Sequence, residues 1–376
     1  MTGAGATRLA VVGNPGNRRV TMFQDAVRRA GIAEARAVPW LDVLCGRAEF
    51  GAGELVRLDS PGEDPEVERR LRDVEDATRV EGTAVWYERF IAAARTAGAL
   101  AHASGARLLD DPDELAVLFD KRRCHAVLRE AGVPVPFSPT SGTVTRVRGW
   151  DDVRELMTAH RLPRVFVKLA HGSSASGVLA VETAGGGRLQ ATTSVLRDPD
   201  GRLFNSLRVR RYTTESEIAA IVDALAPDGL HIERWLPKAS QHSRSADLRV
   251  VVVGGRATHA VLRTSASPMT NLHLGGARGD LAEARAAITA AGASWDDALA
   301  ICERAAACFP GFSRVGVDLL PATGWRRFAV GEVNAFGDLL PRLRGLDGSG
   351  AEHADTYDTQ VAAILCRIGS EQHVIA

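Results

Sequence analysis

The chain has 376 residues, enough for two or three domains with cores of their own, and at 45% hydrophobic and 24% charged it is not disordered by composition. Lysine plus arginine and aspartate plus glutamate both number 46, so no basic excess points to nucleic acid or to an anionic membrane surface. Five cysteines (Cys45, Cys124, Cys302, Cys308, Cys366) lack metal or redox spacing, and no apolar run reaches membrane-spanning length, so a reduced, soluble, cytoplasmic protein is expected.

Residues 8–12 read as a strand, followed by a turn at 13–17 and a helical pattern over 20–30; residues 35–44 add a strand and a short helix. Strand, glycine turn and helix in that order predict an open α/β domain. The turn is not GxGxxG, so it carries no dinucleotide fingerprint. Arg18 and Arg19 at the helix start read as a solvated basic pair or an anion contact. The segment 60–79, rich in Pro, Glu, Asp and Arg, reads as surface. Residues 83–104 predict a helix burying Val85, Phe90, Ile91 and Leu100. A strand at 106–109 follows, and Asp111-Pro112 opens another helix. Residues 119–131 form an amphipathic helix that stops at Gly132, after which Val133-Pro-Val-Pro136 is extended.

The next strand, 165–169, carries Lys168 among Val165, Val167 and Leu169, and a lysine in a buried strand needs an anionic partner. His171-Gly-Ser-Ser-Ala-Ser-Gly177 is a loop of small residues whose N–H groups can approach an anion and whose glycines let it open and close. Residues 185–211 alternate about Asp198–Gly201 as a hairpin. A helix with a Thr/Glu capping signature spans 213–225. Strands at 230–236, 247–253 and 257–264 follow, the first two separated by a polar loop, 238–246. A glycine-bearing loop at 267–279 leads to helices at 280–291 and 295–309, and a last helix is expected at 352–368.

Between these last helices lies a hairpin signal: two apolar runs, 315–320 and 328–333, around a turn-rich centre near Trp325. Folded there, Asp318 and Glu332 become cross-strand neighbours, and Asn334, two residues on, shares their face. Two carboxylates and an amide suit a hard cation, Mg²⁺ or Mn²⁺; they equally describe an exposed pair of acids on an edge strand.

In combination these signals resemble the ATP-grasp superfamily. The series runs Asp120-Lys121, Val133–Pro136, VFVK to Lys168, HGSSASG, IERWL to Leu236, then Asp247-Leu-Arg249, Arg263, Asn271-Leu-His-Leu-Gly-Gly276, GVD to Asp318 and GEVN to Asn334. Within the superfamily it is most similar to the glutamate-ligase branch that modifies ribosomal protein tails. The likeness covers Asp111 to about Leu343; the first hundred residues match only in outline. It implies an ATP-grasp fold (α+β in the ATP-binding part) behind the N-terminal open α/β domain. Expected divisions are 1–110, 111–236 with an inserted hairpin at about 185–211, and 237–376.

By the resemblance, Lys121 and Lys168 hold the α- and β-phosphates, and Gly172, Ser173, Ser174 and Gly177 belong to the loop over the triphosphate. Glu233, Arg234 and Leu236 lie on the hinge beside adenine, and Asp247 contacts the ribose. Arg249 and Arg263 steady the γ-phosphate and an acyl phosphate, Asn271 is an active-site amide, and Asp318, Glu332 and Asn334 bind Mg²⁺ or Mn²⁺. The implied activity joins a carboxylate, on a small molecule or a peptide, to an amine through an acyl phosphate, releasing ADP and phosphate. No nucleic acid or membrane partner is expected, and a homodimer is left open.

The chain also departs from the branch. The loop before Asp247 is longer, a basic position is Leu274, and AFGDLLPRL follows Asn334 without the usual Ser-Pro-Gly. Arg202, Arg208, Arg210 and Arg211 on the inserted hairpin read as a substrate-facing patch or a solvated strand. His171 and His273 read as loop residues near phosphate or substrate, or as structural ones. Trp86, Tyr87, Trp325 and Cys124 read as packing. A superfamily kinase, a carboxylate–thiol ligase and a non-catalytic nucleotide binder are the rival functions.

Overall fold

The computed structural model describes residues 7–74, 76, 78–173, 175–183, 188–337 and 340–375, with side chains through residue 368. Ser174, the start of the hairpin expected at 185–211, and Asp338-Leu339 of the AFGDLLPRL stretch lie outside the described residues.

The first unit is a sheet of β1 (Arg8–Val12), β2 (Arg36–Val38), β3 (Glu54–Leu58) and β4 (Arg107–Leu108) in the order β2-β1-β3-β4, parallel throughout. This is the open α/β arrangement expected, although β3 was not read in the sequence. Helix α1 (Arg18–Arg29) starts at Asn17, whose side chain accepts from the Arg19 amide, and buries Val20, Phe23, Ala26 and Val27. A short α2 (Trp40–Leu44) follows β2. The charged segment 60–79 is not simply surface: it contains α3 (Pro65–Arg72), capped by Asp64, with Val67 and Leu71 buried. Two apolar residues one turn apart suffice to seat a helix whose other faces are charged. Helix α4 (Thr83–Ala103) buries Phe90 and Ile91, while Val85 is 38% exposed, contrary to expectation. Helix α5 (Pro112–Leu118) is capped by Asp111, and α6 (Lys121–Glu130) by Asp120, which accepts from the Arg122 amide at 2.9 Å.

A second, antiparallel sheet contains β5 (Arg164–Leu169), β6 (Leu179–Thr183), β7 (Leu189–Arg197), β8 (Leu203–Tyr212) and β9 (Leu230–Arg234) in the order β8-β7-β6-β5-β9. Helices α7 (Trp150–Ala159), unread in the sequence, and α8 (Glu215–Leu225) cover one face, over Val165, Val167 and Leu169. The expected capping signature of α8 is realised differently: the Thr214 hydroxyl goes to the Glu217 carboxylate and not to a backbone N–H.

The third sheet has the order β13-β12-β11-β14-β15, with β10 (Ser240–Gln241) paired to β11 (Arg244–Val253). The remaining strands are β12 (Arg256–Ser265), β13 (Ala277–Arg278), β14 (Arg314–Pro321) and β15 (Phe328–Asn334). Helices α9 (Leu281–Ala290) and α10 (Trp295–Ala307) join Leu248, Val250 and Val252 in an apolar interior continuous with that of the first sheet. The last helix, α11 (Thr356–Ile375), begins later than expected because Asp355 caps it, accepting from the Tyr357 and Asp358 amides. It returns to the first sheet, where Tyr357, Val361 and Ile364 pack with Leu9, Val11 and Phe23. No helix among the described residues is long and apolar enough to cross a membrane.

Candidate active site

The hairpin of β14 and β15 pairs Asp318 directly with Glu332 and Gly316 with Asn334. Neighbouring strands extend the pattern, because β11 sets Arg249 opposite Asp318 and Asp247 opposite Arg263 of β12. Strand alternation keeps these side chains on one face while Leu248 and Val250 take the other. The result is a belt of alternating charge across four strands. Arg249 Nε donates to Asp318 at 2.5 Å, and Arg263 bridges Asp247 at 2.8 Å and Asp318 at 3.1 Å.

The longer loop before Asp247 does not loosen it. The loop folds as the β10–β11 hairpin around His242 and Ser243, both in the left-handed region. Lys238 at its start donates to Asp247 at 3.2 Å and to Thr270 at 3.0 Å, and the Thr270 hydroxyl donates to the same carboxylate. Burial raises the Asp247 carboxyl, but Lys238 and Arg263 outweigh it and hold the group far below the usual carboxylate range. For Arg263 burial works against the charge, and Asp318 and Asp247 reverse it, raising the guanidinium. Lys238 was missed in the sequence; its only signal was a lysine directly after the strand-breaking Pro237.

The second sheet faces this belt. Lys168 points away from the Val165–Val167–Leu169 core, and the anionic partner it required is Glu233 on β9, at 2.5 Å. His231 approaches the other Glu233 oxygen at 3.6 Å. The Glu233 side chain is only 4% exposed; burial pushes it up, yet Lys168 and His231 bring it down to about 2. Lys121, the first residue of α6, spans the two sheets by donating to the Gly172 carbonyl and pairing with Glu332 at 2.9 Å. Lys121 and Lys168 outweigh burial at Glu332 and lower its carboxyl.

Between the sheets lies a cavity of about 110 Å³ reached by Lys121, Lys168, Lys238, Glu233, Asp247, Arg263, Asn271, Asp318 and Glu332. Phe166 and Val178 on one side and Met269 and Leu320 on the other form an apolar slot in it. Gly172, Arg234 and Leu236 also line it, but the Arg234 amide is committed to the Phe137 carbonyl at 2.7 Å and its guanidinium lies over the Phe137 ring. A second cavity, about 480 Å³, adjoins the first through Lys121, Gly172, Arg263, Asn271 and Glu332, and takes in Ser173, Arg249, His273 and Asn334. Gly177 reaches neither cavity: at φ +67 it lies under Leu169 and Val80, where an added Cβ would meet Leu169 Cδ1 at 2.5 Å. His171 stacks on Tyr87 at 3.9 Å and meets the Phe119 carbonyl at 3.1 Å, tying the start of the loop to α4 and α5. Arg202, Arg208, Arg210 and Arg211 line neither cavity, and Arg202 pairs with Asp198 and Asp200 within its own hairpin.

The donor set for a hard cation is coherent. Asp318 and Glu332 supply carboxylates, and Asn334, whose Nδ2 donates to the Gly316 carbonyl at 3.2 Å, keeps its Oδ1 available. Among the described residues there is no cluster of three or more His, Cys, Asp or Glu able to hold a metal, so a cation here would complete its shell with ligand and water oxygens.

No family model and no curated protein matches the chain. Solved structures do. D-cycloserine synthetase DcsG aligns at 17% identity over 95% of this chain and 99% of its own, with a TM-score of 0.57. The ATP-grasp ligase PsnB, complexed with a minimal precursor, aligns at 17% identity over 96% and 99%, with a TM-score of 0.53. D-alanine–D-alanine ligase from Bacillus anthracis, complexed with ATP, aligns at 14% identity over 98% and 100%, with a TM-score of 0.50. At such identities the likeness is one of architecture, and it spans nearly the whole chain. The chain has the ATP-grasp fold.

Proposed function

We propose that this chain is an ATP- and Mg²⁺-dependent carboxylate–amine ligase. The observation that carries the reading is the ring of lysines and arginines set against Asp318 and Glu332 at the junction of two cavities. Relatives in fold support it: PsnB has been solved with Mg and ADP, and with a precursor peptide and AMPPNP. The apolar slot beside Glu233 and Leu236 takes the adenine, with Asp247 toward the ribose. Lys121 and Lys168 exchange their carboxylate partners for the α- and β-phosphates, a change that keeps each ammonium paired. Backbone N–H groups of Gly172 and Ser173 cover the triphosphate. Mg²⁺ held by Asp318, Glu332 and Asn334 would neutralise charge on the β- and γ-phosphates.

Arg249 and Arg263 steady the transferring phosphoryl group while a substrate carboxylate oxygen attacks the γ-phosphorus and the bond to the ADP oxygen breaks. The amine nitrogen then attacks the acyl carbon; phosphate leaves, and the nitrogen loses its extra proton to solvent. Closing the loop over this centre excludes water, which would otherwise hydrolyse the acyl phosphate. Asn271, lining both cavities, is placed to hydrogen-bond the acyl phosphate.

The test is ADP release from MgATP in the presence of candidate acids, with hydroxylamine added as a nucleophile. Hydroxamate formed together with ADP supports the ligase; ADP release that never yields hydroxamate or amide argues for a kinase. Glu332→Ala should abolish turnover and weaken MgATP binding in calorimetry at least tenfold, with the circular dichroism spectrum unchanged.

A further inference from the structure

Behind the smaller cavity lies a void of about 20 Å³, lined by residues of α6, β5, β9 and β15. Lys168 borders both spaces; Glu233 faces the cavity and His231 faces the void. Glu233 stands between two nitrogens, with one oxygen 2.5 Å from Lys168 Nζ and the other 3.6 Å from His231 Nε2. His231 is 2% exposed.

The titratable groups facing His231 are Lys168 on β5, Glu233 on its own strand, Lys121, Cys124 and His125 on α6, and Glu332 on β15. Lys121 and Glu332 pair with each other, and burial pushes the Cys124 thiol up to about 12. His125 is held neutral: burial lowers it, Nε2 donates to the Pro136 carbonyl at 2.7 Å, and Nδ1 accepts from the Ser141 hydroxyl at 2.9 Å. Burial also lowers His231; Glu233 pulls the other way, and Lys168 and His125 reinforce burial. While Lys168 sits on Glu233, the His231 ring is therefore neutral. Its Nδ1 lies 3.2 Å from Thr140 Oγ1, which accepts from the Ile232 amide at 2.8 Å and is 3.3 Å from the Ile232 carbonyl. The Thr140 proton can point to Nδ1 of a neutral ring, or to that carbonyl when Nδ1 carries a proton of its own. Both charge states of His231 thus have a hydrogen-bond partner.

We propose that His231 takes up a proton and becomes the cationic partner of Glu233 when nucleotide phosphates draw Lys168 away. The proposal rests on the nucleotide site of the ligase reading and adds to it a residue that touches no nucleotide. Without such a replacement, the departure of Lys168 strands a buried carboxylate, which is costly. The proton comes from solvent and joins the ring, and Glu233 stays ionised throughout. His231 is a positioning residue: by taking over Glu233 it releases Lys168 to the phosphates. Because binding takes up a proton, affinity for MgATP falls as pH rises.

The test is titration calorimetry of MgATP binding at pH 7 to 8 in buffers of different ionisation enthalpy, which counts the protons exchanged. The wild-type chain should take up about half a proton or more, and its affinity should fall about three- to tenfold from pH 7 to pH 8. His231→Gln should lose both the uptake and the pH dependence. Nitrogen NMR of the wild-type chain with labelled histidine, His231 being identified by its contact with Thr140, reads the ring directly and does not depend on the variant folding. It should pass from one protonated nitrogen to two on saturation with MgATP, and in ligand-free Lys168→Ala it should carry two already at pH 7. MgATP binding without proton uptake, uptake that persists in His231→Gln because Glu233 itself is protonated, or a ring that stays neutral beside bound MgATP overturns the proposal and leaves the ligase standing. A wild-type chain that binds no MgATP overturns the nucleotide reading, and this proposal with it.

Discussion

Lys168 and Glu233 form a tight charge pair under the smaller cavity, with side chains 16% and 4% exposed and 2.5 Å apart. The Glu233 carboxyl stands at about 2 against an ordinary 4.5, so folding is favoured while it is ionised. Because the folded value is the lower one, this stabilisation is complete above about pH 4.5 and is lost as pH falls toward 2. Lys168→Ala leaves a buried carboxylate with only His231 nearby, and should cost about 3–5 kcal/mol at neutral pH. Urea denaturation across pH 3 to 7 checks both statements: the variant's acid limb should flatten or reverse, and an unchanged limb would show that another group holds Glu233 down. The same substitution should weaken MgATP binding at least tenfold.

Among the elements, the small-residue loop and the belt hairpin do different work from the same kind of local chemistry. Gly177 closes the loop against β5, in a backbone region that disfavours side chains and with no space for a Cβ above Leu169. Gly177→Ala should destabilise the protein by about 1–3 kcal/mol through overpacking and strain together. Gly275 provides the comparison, since its φ of +83 carries the same strain with nothing within 4 Å of an added Cβ. Thermal unfolding of the two alanine variants should therefore show the larger loss at Gly177, and equal losses would mean that the contact with Leu169 relaxes freely. The hairpin, by contrast, depends on register. A slip of one residue would turn Asp318 into the apolar interior and Leu319, fully buried in it, out to the cavity.

At the scale of the molecule, the first unit, the third sheet and the last helix meet at a fully buried polar joint. Arg57 pairs with Asp59 at 2.9 Å and donates to Gln360 of α11 at 2.6 Å. Arg314, at the start of β14, pairs with Asp110 at 2.7 Å and donates to the Leu58 carbonyl. The joint holds the loop after β3, which lines the larger cavity at Ser60, against the strand that carries Asp318. Arg314→Met strands the Asp110 carboxylate in the interior and should cost about 3–5 kcal/mol in global stability, read from urea unfolding. Asp110→Asn combined with Arg314→Met should recover part of that loss, because the stranded charge is then gone.

Much of this architecture was legible in the residues because its rules are local. The two-residue period of a strand pairs Asp318 with Glu332 as soon as the turn is centred near Trp325. Asp111, Asp120 and Pro112 announce their helices through backbone donors a few residues away. The lysine of β5 announced a need for an anion, but not that Glu233, sixty-five positions later, would meet it. Segment 60–79 looked like solvated surface because two buried positions carry α3 and the charges around them hide the stripe. The order of motifs from Lys121 to Asn334 was determined by the sequence alone. The tertiary structure decided what no local pattern holds: which charges are neighbours across separate sheets, and that His125 and His231 share a buried void with Lys168. Those facts depend on where three sheets are packed together, and burial there makes each charge depend on a partner that its own element does not supply.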